Sequence, residues 1–388
     1  MFVFGAYELY SEVCMMSIPY FRYDFLYKEF KTDIDKALRD VLGRGAFILQ
    51  QELRDFEKAV ADFTSAKHVI GVGNGTDSLI LMMKACGVQA GDEVIMSSHT
   101  FIATATAAGW LGAIPVLVDC GDDHLMDVSK VEAVITSKTK VIMPTQLNGR
   151  TCEMDKLQEI ADEHELIILE DAAQALGSKY LDRCAGTWGK AGSISLYPAK
   201  VLGCFGDGGM VLTDDDRIAH DIFCMRDHGR DPKTNQVCMW GINTRLDNLQ
   251  AAILLAKFKH YRKTVQRRRE IAQRYCDRLS KIPEITLPPA PNDTDMRHYD
   301  VYQNFEIEAE NRDELRNYLQ ADGIGTLIQW GGRALHQITE LKDSMHFDVS
   351  SLQRTELLFK RCLMLPLNTS VSDDEVDYIC EKIEAFYK

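Results

Sequence analysis

The sequence predicts an α/β protein with a large domain built on a mixed, mostly parallel sheet and a small C-terminal α/β domain. Three observations predict it. Between residues 67 and 171, short and nearly continuous apolar runs alternate with helical stretches. Runs without polar alternation suit strands covered on both faces, and strand–helix alternation suits right-handed crossovers. A chain of 388 residues exceeds what one hydrophobic core usually serves, and the Pro-rich run "IPEITLPPAPND" (282–293) reads as a linker. Residues 1–281 are therefore expected to hold the N-terminal segment, the large domain and a long connecting helix, with residues 282–388 forming the small domain.

The runs 68–73, 92–97, 114–119, 140–146 and 166–171 are the first strands, and 192–197 and 210–213 continue the set. Helical patterns cover 77–86, 102–111, 128–136 and 154–164. A longer one runs from 246 to 281, apolar in its first half and basic in its second, with Arg267, Arg268 and Arg269 read as a solvated face. Beyond the linker the pattern gives a strand (301–307), a helix (312–321), a strand (326–330) and two terminal helices.

Composition excludes several classes. Lysine and arginine number 44 against 58 acidic residues, a net charge of −14, which argues against nucleic acid or an anionic membrane as the main partner. The opening "MFVFGAYELYSEVCMM" lacks the basic start and apolar core of a secretory signal, and no apolar run approaches the length of a membrane span. The 11 cysteines are scattered, without a CxxC pair or a His/Cys cluster at zinc spacing, so reduced thiols in a cytoplasm and no metal are expected.

Three stretches carry chemistry. In "SLYPAKVLGCFGDGG" (195–209), Lys200 lies in a connection between two strands, beside glycines that let the backbone approach a ligand. "ILEDAAQALGS" (168–178) ends an apolar strand on Glu170 and Asp171, and a buried carboxylate there is costly unless a cation meets it. "GVGNGTDSL" (71–79) follows a strand and opens a helix. Its GxGxG spacing is not the dinucleotide fingerprint and suits a helix N-terminus, capped by Thr76 or Asp77, that receives one phosphate. A lysine for a Schiff base, an aspartate for a protonated ring nitrogen, an aromatic face and a phosphate cup are the needs of pyridoxal 5'-phosphate (PLP). Lys200, Asp171, Phe101 in "SSHTFIATAT", and Gly75–Thr76 with Ser195 supply that set in order at strand ends.

On these motifs, and along nearly the whole length from "IPYFRYDF" through "AFILQQELRDFEKAVADF" to "LPLNTSVSDDEVDYICEKI", the chain resembles the DegT/DnrJ/StrS family of PLP-dependent sugar aminotransferases, of fold type I. The resemblance implies that Lys200 forms the Schiff base and Asp171 pairs with the pyridine nitrogen. It implies that Gln174 bonds the ring hydroxyl and that Phe101 stacks on the ring. Thr76, Ser195 and the backbone at Gly75 and Asp77 would hold the phosphate. In "GINTRLDNLQAAI", Asn243 would reach the phosphate of a neighbouring subunit, which implies a homodimer with shared active sites.

The implied reaction moves an amino group from L-glutamate to a carbonyl carbon of a sugar. Overall similarity points to 3,8-dideoxy-8-oxo-manno-octulosonate, giving an 8-amino sugar for lipopolysaccharide. A nucleotide-linked keto-sugar, or PLP binding in a regulatory protein without turnover, are the alternatives. Two positions depart from the family pattern. Val201 stands where asparagine often follows the lysine, and "IQWGGRALHQ" (328–337) replaces a His-Tyr-Pro run in a region that meets substrate. A dehydratase of the same fold would have histidine in place of Lys200, and an oxidoreductase would need the missing dinucleotide motif.

Overall fold

The computed structural model describes residues 17–291 and 296–388; the opening segment read for targeting signals, residues 1–16, lies outside them. Strands β1 (His68–Val72), β2 (Glu93–Ser97), β3 (Ile114–Val118), β4 (Thr139–Met143), β5 (Ile167–Asp171), β6 (Ala191–Ser195) and β7 (Gly209–Thr213) form one seven-stranded sheet in the order β1-β7-β6-β5-β4-β2-β3. Neighbours from β3 across to β6 pair in parallel, and β7 runs antiparallel to both β6 and β1. The sheet is mixed and mostly parallel, as the apolar runs predict.

The helices are α1 (Tyr23–Glu29), α2 (Lys31–Arg44), α3 (Gln51–Thr64), α4 (Gly75–Ala85), α5 (Ile102–Trp110), α6 (Met154–Glu163), α7 (Asp216–Met225), α8 (Asn248–Phe258), α9 (Tyr261–Leu279), α10 (Arg312–Ala321), α11 (Gln353–Arg361) and α12 (Asp373–Phe386). Alternate side chains of the strands serve opposite faces. Val94, Met96 and Leu169 pack with Leu79 and Met82 of α4, Ala105 of α5 and Ile222 of α7. Ile95, Ile142 and Ile168 turn the other way, toward Leu157 and Ala161 of α6. At the β1 side, Val69, Met210 and Leu212 meet Phe56 of α3 and Leu254 of α8.

Three elements differ from the expected ones. Residues 128–136 form two short 3-10 turns, Val128–Lys130 and Glu132–Val134. The long pattern from 246 breaks at Lys259 and His260, and Tyr261, the first residue of α9, is thereby turned inward, where its hydroxyl donates to the Leu176 carbonyl at 2.5 Å. The strand expected at 326–330 is a single bridge from Leu327 to Met364 followed by a 3-10 turn, Gln329–Gly332.

The C-terminal sheet is instead β8 (Ile285–Thr286), β9 (Phe305–Ala309) and β10 (Cys362–Leu365), antiparallel in the order β8-β9-β10. Its core joins Phe305, Ile307, Leu319, Leu363 and Ile379 to Ile18 and to Ile271, Tyr275 and Leu279 of α9, so the packing runs across residue 282. Among the described residues, no helix is long and apolar enough to cross a membrane.

Tyr275 is fully buried, its ring 5.0 Å from that of Phe305 and its hydroxyl donating to the Pro366 carbonyl at 2.9 Å. Tyr275→Ala should lower stability by about 3–5 kcal/mol, and Tyr275→Phe by about 1 kcal/mol, in urea unfolding of the cofactor-free protein. Equal losses for the two variants would mean that the ring packing carries little.

Candidate active site

The carboxyl ends of β1, β2, β5 and β6 gather at one edge of the sheet, where ligands bind in folds of this kind. β5 ends on two acids that alternation sends to opposite sides. Glu170 is fully buried and satisfied: its oxygens accept from the backbone N–H of Gly186, Trp188 and Gly189 and from Gln146 Nε2, at 2.6–3.0 Å. Asp171 is treated differently. Its Oδ2 accepts from Thr104 Oγ1 at 2.7 Å and its Oδ1 from the Ala173 N–H at 3.2 Å. Burial raises its pKa, opposed by those two donors and by the charge of Lys200. This is a buried carboxylate with fewer donors than its neighbour and in need of positive charge.

Lys200 supplies part of that charge from the loop after β6. Burial pushes its amine down to about 8, and the Asp171 carboxylate pulls it back up. The loop is held tightly. Gln303 of the C-terminal half accepts from the Val201 N–H (2.8 Å) and donates to the Ala199 carbonyl (2.9 Å), clamping both neighbours of the lysine. A side chain at Gly203 would strike the carbonyls of Tyr197 and Pro198, so this turn requires glycine. Val201, where the family often has asparagine, uses its backbone N–H here and packs its side chain on the core.

The N-terminus of α4 lies beside β6. A Cβ at Gly75 would sit 3.0 Å from Ser195 Cβ, so the glycine admits the close approach that places Ser195 at the helix start. The cap is Asn74, not Thr76 or Asp77 as expected from sequence: its side chain accepts from the Asp77 N–H at 2.8 Å. The Asp77 carboxylate accepts from Asn74 Nδ2 and Thr244 Oγ1. The Asp77 backbone donor is thus engaged, while Gly75 and Thr76 present the first turn of the helix, where N–H groups have no intrahelical partner.

Phe101 precedes α5 and is half exposed, its ring 5.2 Å from that of Trp330. Thr104, which holds Asp171, lies in the first turn of the same helix. Gln174 accepts from the Asn148 N–H (2.7 Å) and from Asn304 Nδ2 (3.4 Å), which leaves its own amide N–H groups to serve as donors. Lys200, Asp171, Gln174, Ser195, Gly75, Thr76 and Phe101 therefore gather at one edge. Asn243 is exposed on the segment before α8, whereas the next residue, Thr244, is buried against Gly73 and Asp77.

Sequence reasoning missed Thr104, Asn148, Gln303, Asn304 and Trp330. Thr104 had a signal, since Thr100 and Thr104 lie four apart and their hydroxyls meet at 2.9 Å. The others come from distant chain or, for Asn148, from a left-handed turn with φ 56°.

This arrangement fits PLP. The under-donated, buried Asp171 suits a protonated ring nitrogen, Lys200 has a lowered pKa suited to a Schiff base, and the Gly75–Ser195 cradle at a helix start suits a phosphate.

Comparison with known proteins agrees. The DegT/DnrJ/EryC1/StrS aminotransferase family matches residues 28–384. The chain is 37% identical to the "Pleiotropic regulatory protein" of Geobacillus stearothermophilus, over 96% of this chain and 99% of that one. It is 39% identical to the dTDP-3-amino-3,4,6-trideoxy-alpha-D-glucose transaminase of Streptomyces venezuelae, over 81% and 82% of the two chains. Its fold superposes on the crystal structure of S. venezuelae DesV in complex with a ketimine intermediate with a TM-score of 0.91, at 34% identity, covering 96% of this chain and 99% of that one. The chain belongs to the DegT/DnrJ/EryC1/StrS aminotransferase family, and it is a PLP-dependent sugar aminotransferase of fold type I.

Proposed function

We propose that the enzyme transfers an amino group from L-glutamate to a carbonyl carbon of a nucleotide-linked sugar. The observation that carries this reading is the facing of Lys200 and Asp171 in a chain 39% identical to a transaminase named for a dTDP-sugar. PLP, when bound, supplies the electron sink for removing a proton next to nitrogen. Lys200 Nζ would hold the cofactor and, when free, would serve as the base that takes up and returns the proton at the substrate carbon. Asp171 keeps the ring nitrogen protonated, positioned by Thr104 and the Ala173 N–H. Gln174 would donate to the ring hydroxyl, and Phe101 would cover one face. The hydroxyls of Thr76 and Ser195 and the N–H groups at the start of α4 take the phosphate. Asn243, turned outward, reaches the phosphate of a second copy in a homodimer with shared sites.

The substrate is tested by a glutamate-coupled assay on dTDP- and UDP-linked keto-sugars beside free 3,8-dideoxy-8-oxo-manno-octulosonate. Turnover of a nucleotide-linked sugar is expected. Turnover of the free octulosonate alone would restore the substrate expected from sequence, and one equivalent of 2-oxoglutarate per site with no acceptor of the panel turned over would leave the acceptor class wrong.

Three further outcomes follow from the residues. In the cofactor-free protein, competitive acetylation read by mass spectrometry should give Lys200 a half-point of about 8, against 10.5 for an ordinary lysine. Asp171→Asn removes the negative charge that raises this pKa, so the half-point should move lower still; an upward move would contradict the facing of the two groups.

In the holoenzyme, Asp171→Asn should retain cofactor but lose about 10²–10³-fold in turnover, since a neutral amide cannot hold the ring nitrogen charged. Near-normal turnover would remove Asp171 from its role.

Finally, inactive Lys200→Ala and Asn243→Trp chains, when mixed, should regain activity. Each hybrid dimer would hold one site with both lesions and one with neither. Hybrid dimers that form yet stay inactive would place Asn243 in its own chain's site.

A further inference from the structure

α7 carries His220 and Cys224 one helical turn apart on the same face. The loop that follows folds back on itself, with Arg230 bridged to Val237 and the Cys238 N–H bonded to the Gly229 carbonyl at 2.9 Å, and it returns Asp231 and Cys238 to that face. Cys224 Sγ lies 3.7 Å from His220 Nε2 and 3.8 Å from Cys238 Sγ, and His220 Nε2 lies 2.9 Å from Asp231 Oδ2. The donor atoms of His220, Cys224 and Asp231 all fall within 4.8 Å of one another, and Cys238 Sγ reaches this trio through Cys224 Sγ, so it must swing inward to complete the set. Two sulfurs bound at about 2.3 Å to one tetrahedral zinc stand about 3.8 Å apart. A disulfide would need them at about 2.05 Å.

We propose that His220, Cys224, Asp231 and Cys238 form a structural zinc site that staples the base of the loop carrying Asn243. Two thiolates, an imidazole and a carboxylate complete a tetrahedron with no open position, and sulfur donors select zinc over magnesium or calcium. The groups around the site are already oriented. The other Asp231 oxygen accepts from the Lys233 and Thr234 N–H groups, at 2.7 and 2.8 Å, which aims Oδ2 at His220. His220 Nδ1 faces Asp221 Oδ1 at 3.6 Å, so the ring proton can sit there once Nε2 binds metal.

Binding breaks two S–H bonds and forms two Zn–S bonds, one Zn–N bond and one Zn–O bond. The two thiol protons pass to the buffer, and nothing is oxidised or reduced. The Nε2···Oδ2 contact must open by a few tenths of an ångström to admit the ion. None of the four residues belongs to the cofactor site. The loop they would brace has little room to shift, since a Cβ on Gly229 (φ +74°) would strike the Met239 carbonyl, and it exposes Val237, Trp240 and Ile242 beside Asn243.

The test uses the full-length holoenzyme, purified under reducing conditions without chelator, then loaded with zinc and desalted. Elemental analysis should find about one zinc per chain, and cobalt in its place should give tetrahedral d–d bands with a sulfur-to-cobalt charge-transfer band. Cys238→Ser, at an exposed position, should keep cofactor binding and weaken zinc affinity by at least about tenfold. Cys224→Ser should do the same by an independent route. Chelation should speed trypsin cleavage after Arg230 and Lys233 in the wild type and leave the Cys238→Ser rate unchanged. Wild type holding less than about a tenth of an equivalent, zinc content unaffected by either serine, a cobalt spectrum without the sulfur band, or a Cys224–Cys238 disulfide under these conditions would each overturn the site.

Discussion

The site depends on two opposite charges that sense one another: Asp171, buried at the end of β5, and Lys200, half-buried in the loop after β6. An ion taken from water costs several kcal/mol, and its partner offsets that only in good geometry. The shifts in both groups record this tension, with the carboxyl raised and the amine lowered to about 8. What surrounds the pair fixes its geometry. Residues 144–146 run beside the end of β5, giving the Gln146 N–H to the Asp171 carbonyl (2.8 Å) and taking the Asp171 N–H on the Pro144 carbonyl (3.0 Å). A hydroxyl relay from Thr145 through Thr100 to Thr104 ends on Asp171 Oδ2. Held this way, the pair has charge to offer a third group.

The contrast between Glu170 and Asp171 shows how position decides role. Both are acids, adjacent and buried. Glu170 receives three backbone N–H groups from the turn 186–189 and one side-chain amide, so its charge is spent on shaping that turn. Asp171 receives two donors, Thr104 Oγ1 and the Ala173 N–H, and keeps acceptor capacity. From sequence the two could not be ranked by composition, only by the alternation of the strand.

That is also the limit of what the sequence disclosed. The large sheet was legible because doubly buried strands read as apolar runs, and Asp171, Lys200 and Gly75 because they end or follow those runs. The small sheet was not: Leu327 makes one bridge and then turns into the left-handed Trp330, while Cys362–Leu365, a short run continuous with α11, takes the strand position. The cap fell to Asn74 because a cap is chosen by which backbone N–H its side chain can reach, a matter of one or two residues. Gln303 and Asn304 carry no local mark, since their side-chain partners lie 102 to 284 residues away. The His220 cluster escaped for a similar reason. Its donors are split between a helix face and a folded loop, and neither half has the spacing of a known metal motif.

The departing segment 328–337 joins these threads. Its histidine is already committed, His336 sharing hydrogen bonds with Ser98 (2.6 Å) and Glu356 (2.7 Å), which fixes the segment to the end of β2. Its Gln329 donates to Asn148 Oδ1 at 3.1 Å, and the Asn148 N–H in turn holds Gln174. Its Trp330 leans on Phe101. The part of the chain that departs from the family pattern is therefore wired to two residues assigned to the cofactor. Under the roles proposed for Gln174 and Phe101, a change in this segment would reach both, through Asn148 and Trp330. Asn148 is the narrow point of that coupling. It accepts from Gln329 and Asn304, donates to Glu306, and positions Gln174, all from a backbone conformation that few residues adopt.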